Sequence, residues 1–266
     1  MTRAVLLALN AALILGAQDA TEIIRQSVER DATNFERFKN YTFLERVEER
    51  RYGRNGNLSS KEIQTYEFMV LGGQPYGKLV ERDDKPLPAK EARKEQEKLE
   101  KESAKRQRES ASDKAQDDKD RAEERRYLRE IPELFNLTLQ GTDQIDGRPV
   151  WIIGAQPKPG YKPKIKRAEI LTHLRGKIWV DQTDYQWVKT EAEVIDPISF
   201  GLGVIKLESG AVLNFEQVRV NDDVWLPSLI SVRADARLAY LKKLREELDI
   251  TYRDYKKFQA DSRVVE

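Results

Sequence analysis

Residues Gly176–Val194 read GKIWVDQTDYQWVKTEAEV. Ile178, Trp179 and Val180 make one arm rich in β-formers, and Trp187 to Val194 makes another. Gln182 to Asp184 separates them with turn chemistry, so the stretch reads as strand, turn, strand. Along the second arm, alternation puts Val188, Ala192 and Val194 on one face and Trp187, Lys189 and Glu191 on the other. Trp187 is therefore expected to cover a helix or to face a groove.

The same pattern repeats on both sides. LTLQGTDQIDGRPVWIIGAQP is strand, an Asp146-Gly147 turn, and strand. Downstream, GLGVIKLESGAVLNFEQVRVNDDVWLPSLISV adds three strands with turns at Ser209-Gly210 and Asn221-Asp222, and ELDITYRDYKKF closes the chain. Turn signals recur at short intervals without strand–helix alternation, which predicts one antiparallel sheet. Earlier, Phe43 and Val47 alternate with polar residues, Arg54 to Asn57 is a turn signal, and Ile63, Tyr66, Phe68 and Val70 form the returning arm of a hairpin. QPYGKLVERDDKPLP then gives a further short strand and a proline-marked exit.

Two stretches are helical. In DATEIIRQSVERDATNFERFKNY, the residues Ile24, Val28, Ala32 and Phe35, with Ile23 and Phe38 close by, form an apolar stripe, and Asp19 or Thr21 can cap its start. From about 89 to 129 the chain is rich in Glu, Lys, Arg, Gln and Ala, strong helix formers with almost no apolar residue. Propensity drops around Ser110 to Asp113, which predicts a break between two helices. Tyr127, Leu128, Ile131, Leu134 and Phe135 then form an apolar anchor, with Pro132 marking a kink or a new first turn. An antiparallel sheet of this size must cover its apolar face, and an amphipathic helix before it with a helical insertion within it fits a strongly curved sheet. The expected class is α+β: an incomplete β-barrel with helices covering its open side, plus a long charged helical insertion.

Composition narrows the partners. The 266 residues carry 47 Lys plus Arg against 46 Asp plus Glu, so charge gives no reason to expect nucleic acid. Arg3 followed by the apolar run Ala4 to Gly16, with Leu15-Gly16-Ala17 resembling a peptidase site, predicts a signal peptide over 1–17 and an exported, periplasmic protein. Residues 18–266 are expected to form one domain. The sequence contains no cysteine. Lipid attachment at the residue after ILG, disulfides and thiolate chemistry are therefore excluded.

Three stretches carry a family resemblance: GKIWVDQTDYQWVKTEAEV, the Trp-Leu-Pro strand entry in VNDDVWLPSLISV, and the closing ITYRDYKKF. Together with the export signal and leading helix they resemble the LolA/LolB-like proteins that sort bacterial outer-membrane lipoproteins. That resemblance implies a half-barrel that holds acyl chains or another apolar ligand between sheet and helices. The same fold also serves stress-sensing and envelope scaffold proteins, in which case the charged arm would meet an envelope protein partner.

Residues suited to bond chemistry are sparse. His173 is the sole histidine, with no Gly-x-Ser-x-Gly elbow, and metal sites would need further nitrogen or sulfur ligands. Gly201 and Gly203 form a tight turn without the Lys-Ser/Thr of a nucleotide loop. The expectation is a binding protein rather than an enzyme, with no cofactor and no metal. A ligand-facing cavity is expected to draw on Trp151, Ile153, Trp179, Phe200, Leu202, Leu213 and Phe215.

Overall fold

A computed structural model describes residues 19–53, 55–72, 74–200, 205–238 and 242–258. The expected signal peptide lies outside these residues. Helix α1 (Ala20–Phe38) starts at Asp19, whose carboxylate accepts the Thr21 N–H at 2.9 Å. Its buried stripe is Ala20, Ile23, Ile24, Ser27, Val28, Asp31 and Asn34. Ala32, expected inside, is exposed. Of the three polar residues in the stripe, Asp31 and Asn34 have tertiary partners, described below, whereas the Ser27 hydroxyl is buried without one among the described residues.

The chain then forms β1 (Tyr41–Tyr52), β2 (Leu58–Leu71), β3 (Gln74–Arg82) and the two-residue β4 (Lys85–Pro86). The insertion follows as α2 (Ala89–Arg108) and α3 (Ala111–Arg125). They part at Ser110, where a reciprocal cap joins the Ser110 hydroxyl to the Asp113 N–H and the Asp113 carboxylate to the Ser110 N–H, each at 3.1 Å. A 3-10 turn (Arg126–Glu130) and the short α4 (Ile131–Leu134), with Pro132 in its first turn, bury Ile131 and Leu134. The later strands are β5 (Phe135–Ile145), β6 (Arg148–Pro157), β7 (Leu174–Asp181), β8 (Trp187–Val194), β9 (Ile198–Phe200), β10 (Ile205–Leu207), β11 (Val212–Val220), β12 (Val224–Leu238) and β13 (Lys242–Lys257). Residues 166–173 form a 3-10 segment between β6 and β7.

All these strands belong to one antiparallel sheet ordered β4-β3-β2-β1-β13-β12-β11-β8-β7-β6-β5, with β9 and β10 attached beside β12. Local turn chemistry sets most pairs. Asp146 and Gly147 both take positive φ (49° and 75°), as do Asn221 and Asp222 (both 52°), as tight hairpin turns require. Asp181, with no exposed side-chain surface, fixes the turn after β7: it accepts the Thr183 and Asp184 N–H groups at 2.8 and 3.0 Å and pairs with Arg148.

The sheet bows around α1. Ile23 and Ile24 share a buried cluster with Leu134 and Phe135 at the start of β5, while Phe38 stacks on Phe43 of β1 at 5.4 Å, and Phe43 on Phe68 of β2 at 4.9 Å. From Ile23 to Phe38 the helix rises about 22 Å. From β5 to β2 the sheet counts eight strand steps, about 38 Å along its width. Only a curved sheet meets both ends of so short a chord. The edges stay apart, so the barrel is incomplete, as the strand pattern predicted.

The charged insertion carries the chain from β4, at one edge, to β5, at the other. Helix α2 runs beside β3 and meets side chains from both of its faces. Arg82 pairs with Glu91, and Lys78 donates to Gln96, although Arg82 and Lys78 lie on opposite sides by register. It therefore covers the edge of the sheet, where unpaired backbone groups would otherwise invite another strand. An edge offers polar backbone rather than an apolar face, which is why the segment needs no hydrophobic stripe and buries no residue of α2.

One detail of the opening stretch differs from simple alternation. The β7–β8 register shifts between Trp179 and Val180, which pair with Lys189 and Trp187 and leave Val188 as an extra residue. This bulge puts Val188 on the side of Lys189 instead of with Ala192 and Val194, and brings Trp187 to the side of Ala192, contrary to the expected alternation. Trp187 packs against the cluster around α1, and Val188 is buried with Val150, Trp179 and Trp225 on the other side.

Candidate functional site

Register assigns the two faces of the sheet. Ile153, Ile178, Thr190, Phe215, Ile230, Ile250 and Val47 are successive cross-strand partners from β6 to β1. A second row on the same face runs through Ala155, Gly176, Ala192, Leu213, Val232 and Leu248. Gly176 is required here, because a Cβ would stand 2.0 Å from the Glu191 carbonyl oxygen. This is the concave face. The opposite face carries charge: Glu48 pairs with Arg46, Arg50 and Lys61 at 2.9, 2.6 and 3.0 Å, and Arg50 and Arg233 both reach Asp249. Burial opposes ionisation of Glu48, but Lys61, Arg46 and Arg50 outweigh it and bring its pKa down to about 2.

Helix α1 covers only part of the concave face. Under it lies a closed cluster including Ile23, Ile24, Leu134, Trp151, Ile153 and Val180. Beyond it, on β11, β12, β13 and β1, Phe215, Ile230, Val232, Leu248, Ile250 and Val47 are only half-buried, and none belongs to a buried core cluster among the described residues. Half the trough is thus filled by the chain, and half presents apolar wall. At the end of α1 a small cavity of about 60 Å³ opens between Phe35, Phe38, Phe43, Phe68 and Val70.

The sequence-expected site residues divide accordingly. Trp151 and Ile153 are in the filled half, in contact with the α1 cluster. Leu213 and Phe215 are on the concave wall, Leu213 packing beside Val194 and Ile198. Trp179 points to the convex side, among Val150, Val188 and Trp225, with Lys189 5.1 Å over its ring. Phe200 ends β9, and Leu202 lies outside the described residues. Phe215 and Leu213 thus share a face with Trp151 and Ile153, and Trp179 does not, because neighbours in a strand alternate. Ile230, opposite Phe215 across β11–β12, and Ile250, opposite Ile230 across β12–β13, were not singled out by the sequence, and Val47 joins the row only through the pairing of β1 with β13.

No family model matches the chain, and no curated protein matches it. Among solved structures it is similar to a LolA superfamily protein from Nitrosomonas europaea, at 11% identity over 90% of this chain and 93% of that one, with a TM-score of 0.31. It is similar to a DUF1329 family protein from Desulfovibrio piger, at 13% identity over 93% and 96% of the two chains, with a TM-score of 0.36. It is also similar to a chain of the MucA/MucB complex of Pseudomonas aeruginosa, at 8% identity over 91% and 100%, with a TM-score of 0.24.

Two latches fasten the inserted helices to the rest of the chain. Arg106 of α2 donates to the carbonyls of Leu71, Gln74 and Pro75 at 3.2, 3.0 and 3.2 Å, which fastens α2 to the β2–β3 turn. At the end of α3, Arg125 makes a two-oxygen pair with Asp31 of α1 and lies 4.7 Å over the Phe35 ring. His173 Nδ1 lies 3.2 Å from the Asp196 carbonyl oxygen, a backbone contact within the loop region. Among the described residues no group of three His, Asp or Glu side chains is placed to hold a metal, and no helix is long and apolar enough to cross a membrane.

Proposed function

We propose that the chain is an exported periplasmic binding protein that holds acyl chains, or another apolar ligand, against the concave wall, and that lipoprotein sorting is the process it serves. We read it as a carrier rather than an enzyme. The observation that carries this reading is the row Phe215, Ile230, Ile250 and Val47: consecutive apolar side chains on a curved wall, half-buried and outside every packed cluster described. Each methylene laid on such a surface contributes about 0.8 kcal/mol, so a chain of ordinary fatty-acid length gains enough to bind without any polar contact. The test is titration of delipidated protein with a fluorescent fatty-acid analogue. Saturable binding that unlabelled fatty acid reverses supports the reading; no saturable binding overturns it.

A second reading is favoured by a different observation. Helix α1 already fills the trough over β5 to β8 with the chain's own side chains. The protein is then an envelope interaction or scaffold protein, and the exposed, charged surface of α2 and α3 meets a protein partner. Failure of the fatty-acid probe, with charge-reversed α2 losing a partner captured by the native arm, would favour it.

A further inference from the structure

One wall of the trough is not apolar. Glu45 lies on the concave face of β1, two residues from both Phe43 and Val47, and its cross-strand neighbours are Tyr252 of β13 and Tyr66 of β2. The Tyr252 hydroxyl stands beside its carboxylate. Phe43, the next residue along this face, stacks on Phe68 at 4.9 Å and meets Tyr252 at 5.8 Å and Tyr255 at 5.5 Å. The carboxylate is thus set into a wall of aromatic rings.

Its surroundings differ from those of the other β1 carboxylates. Glu48, on the convex face, has Arg46, Arg50 and Lys61; Glu49, further along the concave face, pairs with Arg51. No cation pairs with Glu45 among the described residues. Burial raises its pKa, and only the Tyr252 hydroxyl opposes the shift. The other titratable groups facing it are Tyr66, Tyr252 and Tyr255, all raised by burial and all neutral near pH 7. A half-buried carboxylate with no counter-charge is costly, and proteins tolerate it where something supplies the missing charge.

We propose that Glu45, walled by Phe43, Tyr66 and Tyr252, is an ammonium-binding subsite at the end of the trough, so that the preferred ligand is an amphiphile with a cationic amine head. The carboxylate meets the charge and the Tyr66 and Tyr252 rings on either side of it add cation–π attraction, while the chain lies along Val47, Ile250 and Ile230. This inference rests on the apolar-ligand reading above and adds the identity of the head group.

The experiment is displacement of a neutral fluorescent apolar probe from the whole chain at neutral pH by dodecylamine, dodecanol and dodecanoate, which share one chain length and differ in the head. Dodecylamine is expected to bind about tenfold more tightly than dodecanol, about 1.4 kcal/mol, with dodecanoate weakest. Glu45→Gln should bring dodecylamine down to dodecanol and leave dodecanol unchanged. Glu49→Gln removes the same charge from the same face and should keep the preference. Equal affinity of the native protein for dodecylamine and dodecanol would overturn the subsite while leaving the apolar trough standing. So would a preference that survives Glu45→Gln, or that Glu49→Gln also abolishes. Binding of the probe by no form of the protein would overturn the trough reading and the subsite together.

Discussion

Asn34 completes the backbone hydrogen bonds of Trp225. Its side-chain Nδ2 donates to the Trp225 carbonyl at 2.6 Å, and its Oδ1 accepts the Trp225 N–H at 2.8 Å. The amide does for the first turn of β12 what a neighbouring strand would do, and it ties the last turns of α1 to the strand whose Val224 and Leu226 pack against Tyr41. Arg37, one turn on, donates to the Asp223 carbonyl at 2.7 Å and extends the same joint.

Replacing Asn34 by alanine leaves a buried N–H and a buried carbonyl without partners. Each such group costs about 1–3 kcal/mol, so Asn34→Ala is expected to lose at least about 2 kcal/mol of stability. Asn34→Asp keeps the acceptor but not the donor and should fall between. Urea unfolding followed by tryptophan fluorescence measures both, and a change within about 0.5 kcal/mol for alanine would show the joint to be dispensable.

Arg106→Ala removes the Nη1 group that bonds three carbonyls of the β2–β3 turn and the cation over the Tyr76 ring. Because α2 buries no residue, exposed polar contacts such as Arg82–Glu91 and Lys78–Gln96 are what else ties it to β3. Amide exchange across α2 should accelerate at least about tenfold, while the β11–β13 amides keep their protection. Unchanged exchange in α2 would show that contacts with β3 suffice.

The Glu48 cluster sets an acid limit. A carboxyl whose folded pKa lies below its unfolded value contributes stability that is complete above the unfolded value and lost as pH falls through the folded one. For Glu48 the window runs from 4.5 down to about 2. Its contribution is on the order of 1–2 kcal/mol after solvent screening. Glu48→Gln should therefore destabilise the protein at pH 6 and flatten the loss on acidification below 4.5, measured as urea midpoints at successive pH values. Parallel pH curves for the two proteins would refute the assignment.

Ile250 lies at the centre of the open wall and is half-buried. Ile250→Lys puts an ammonium where the ligand chain is to lie, and affinity for the fatty-acid probe should fall about tenfold or more with the circular dichroism spectrum unchanged. Trp179→Leu, on the convex face, is the matched control and should leave probe affinity unaltered. Equal loss from both would remove the distinction between the faces.

Much of this architecture was legible in the chain. Hairpin turns at Asp146-Gly147 and Asn221-Asp222, alternation along the strands, the amphipathic start and the helix break at Ser110 are all set by neighbours a few residues apart. The candidate wall was only half legible. Phe215 and Leu213 could be singled out as apolar strand residues. Trp179 was grouped with Trp151 although its outward face is shared with Lys189. Ser27, Asp31 and Asn34 look like the polar side of α1, yet all three are buried.

The sequence by itself determined most of the elements, their antiparallel order within each hairpin and the alternation along regular strands, because these depend on backbone propensity and side-chain period. Only the tertiary structure decided that β1 pairs with β13, that the charged insertion spans from one edge of the sheet to the other, and that Glu45 stands among aromatic rings. The β1–β13 contacts join residues about two hundred positions apart. Their free energy comes from burying both partners at once, which no local pattern encodes.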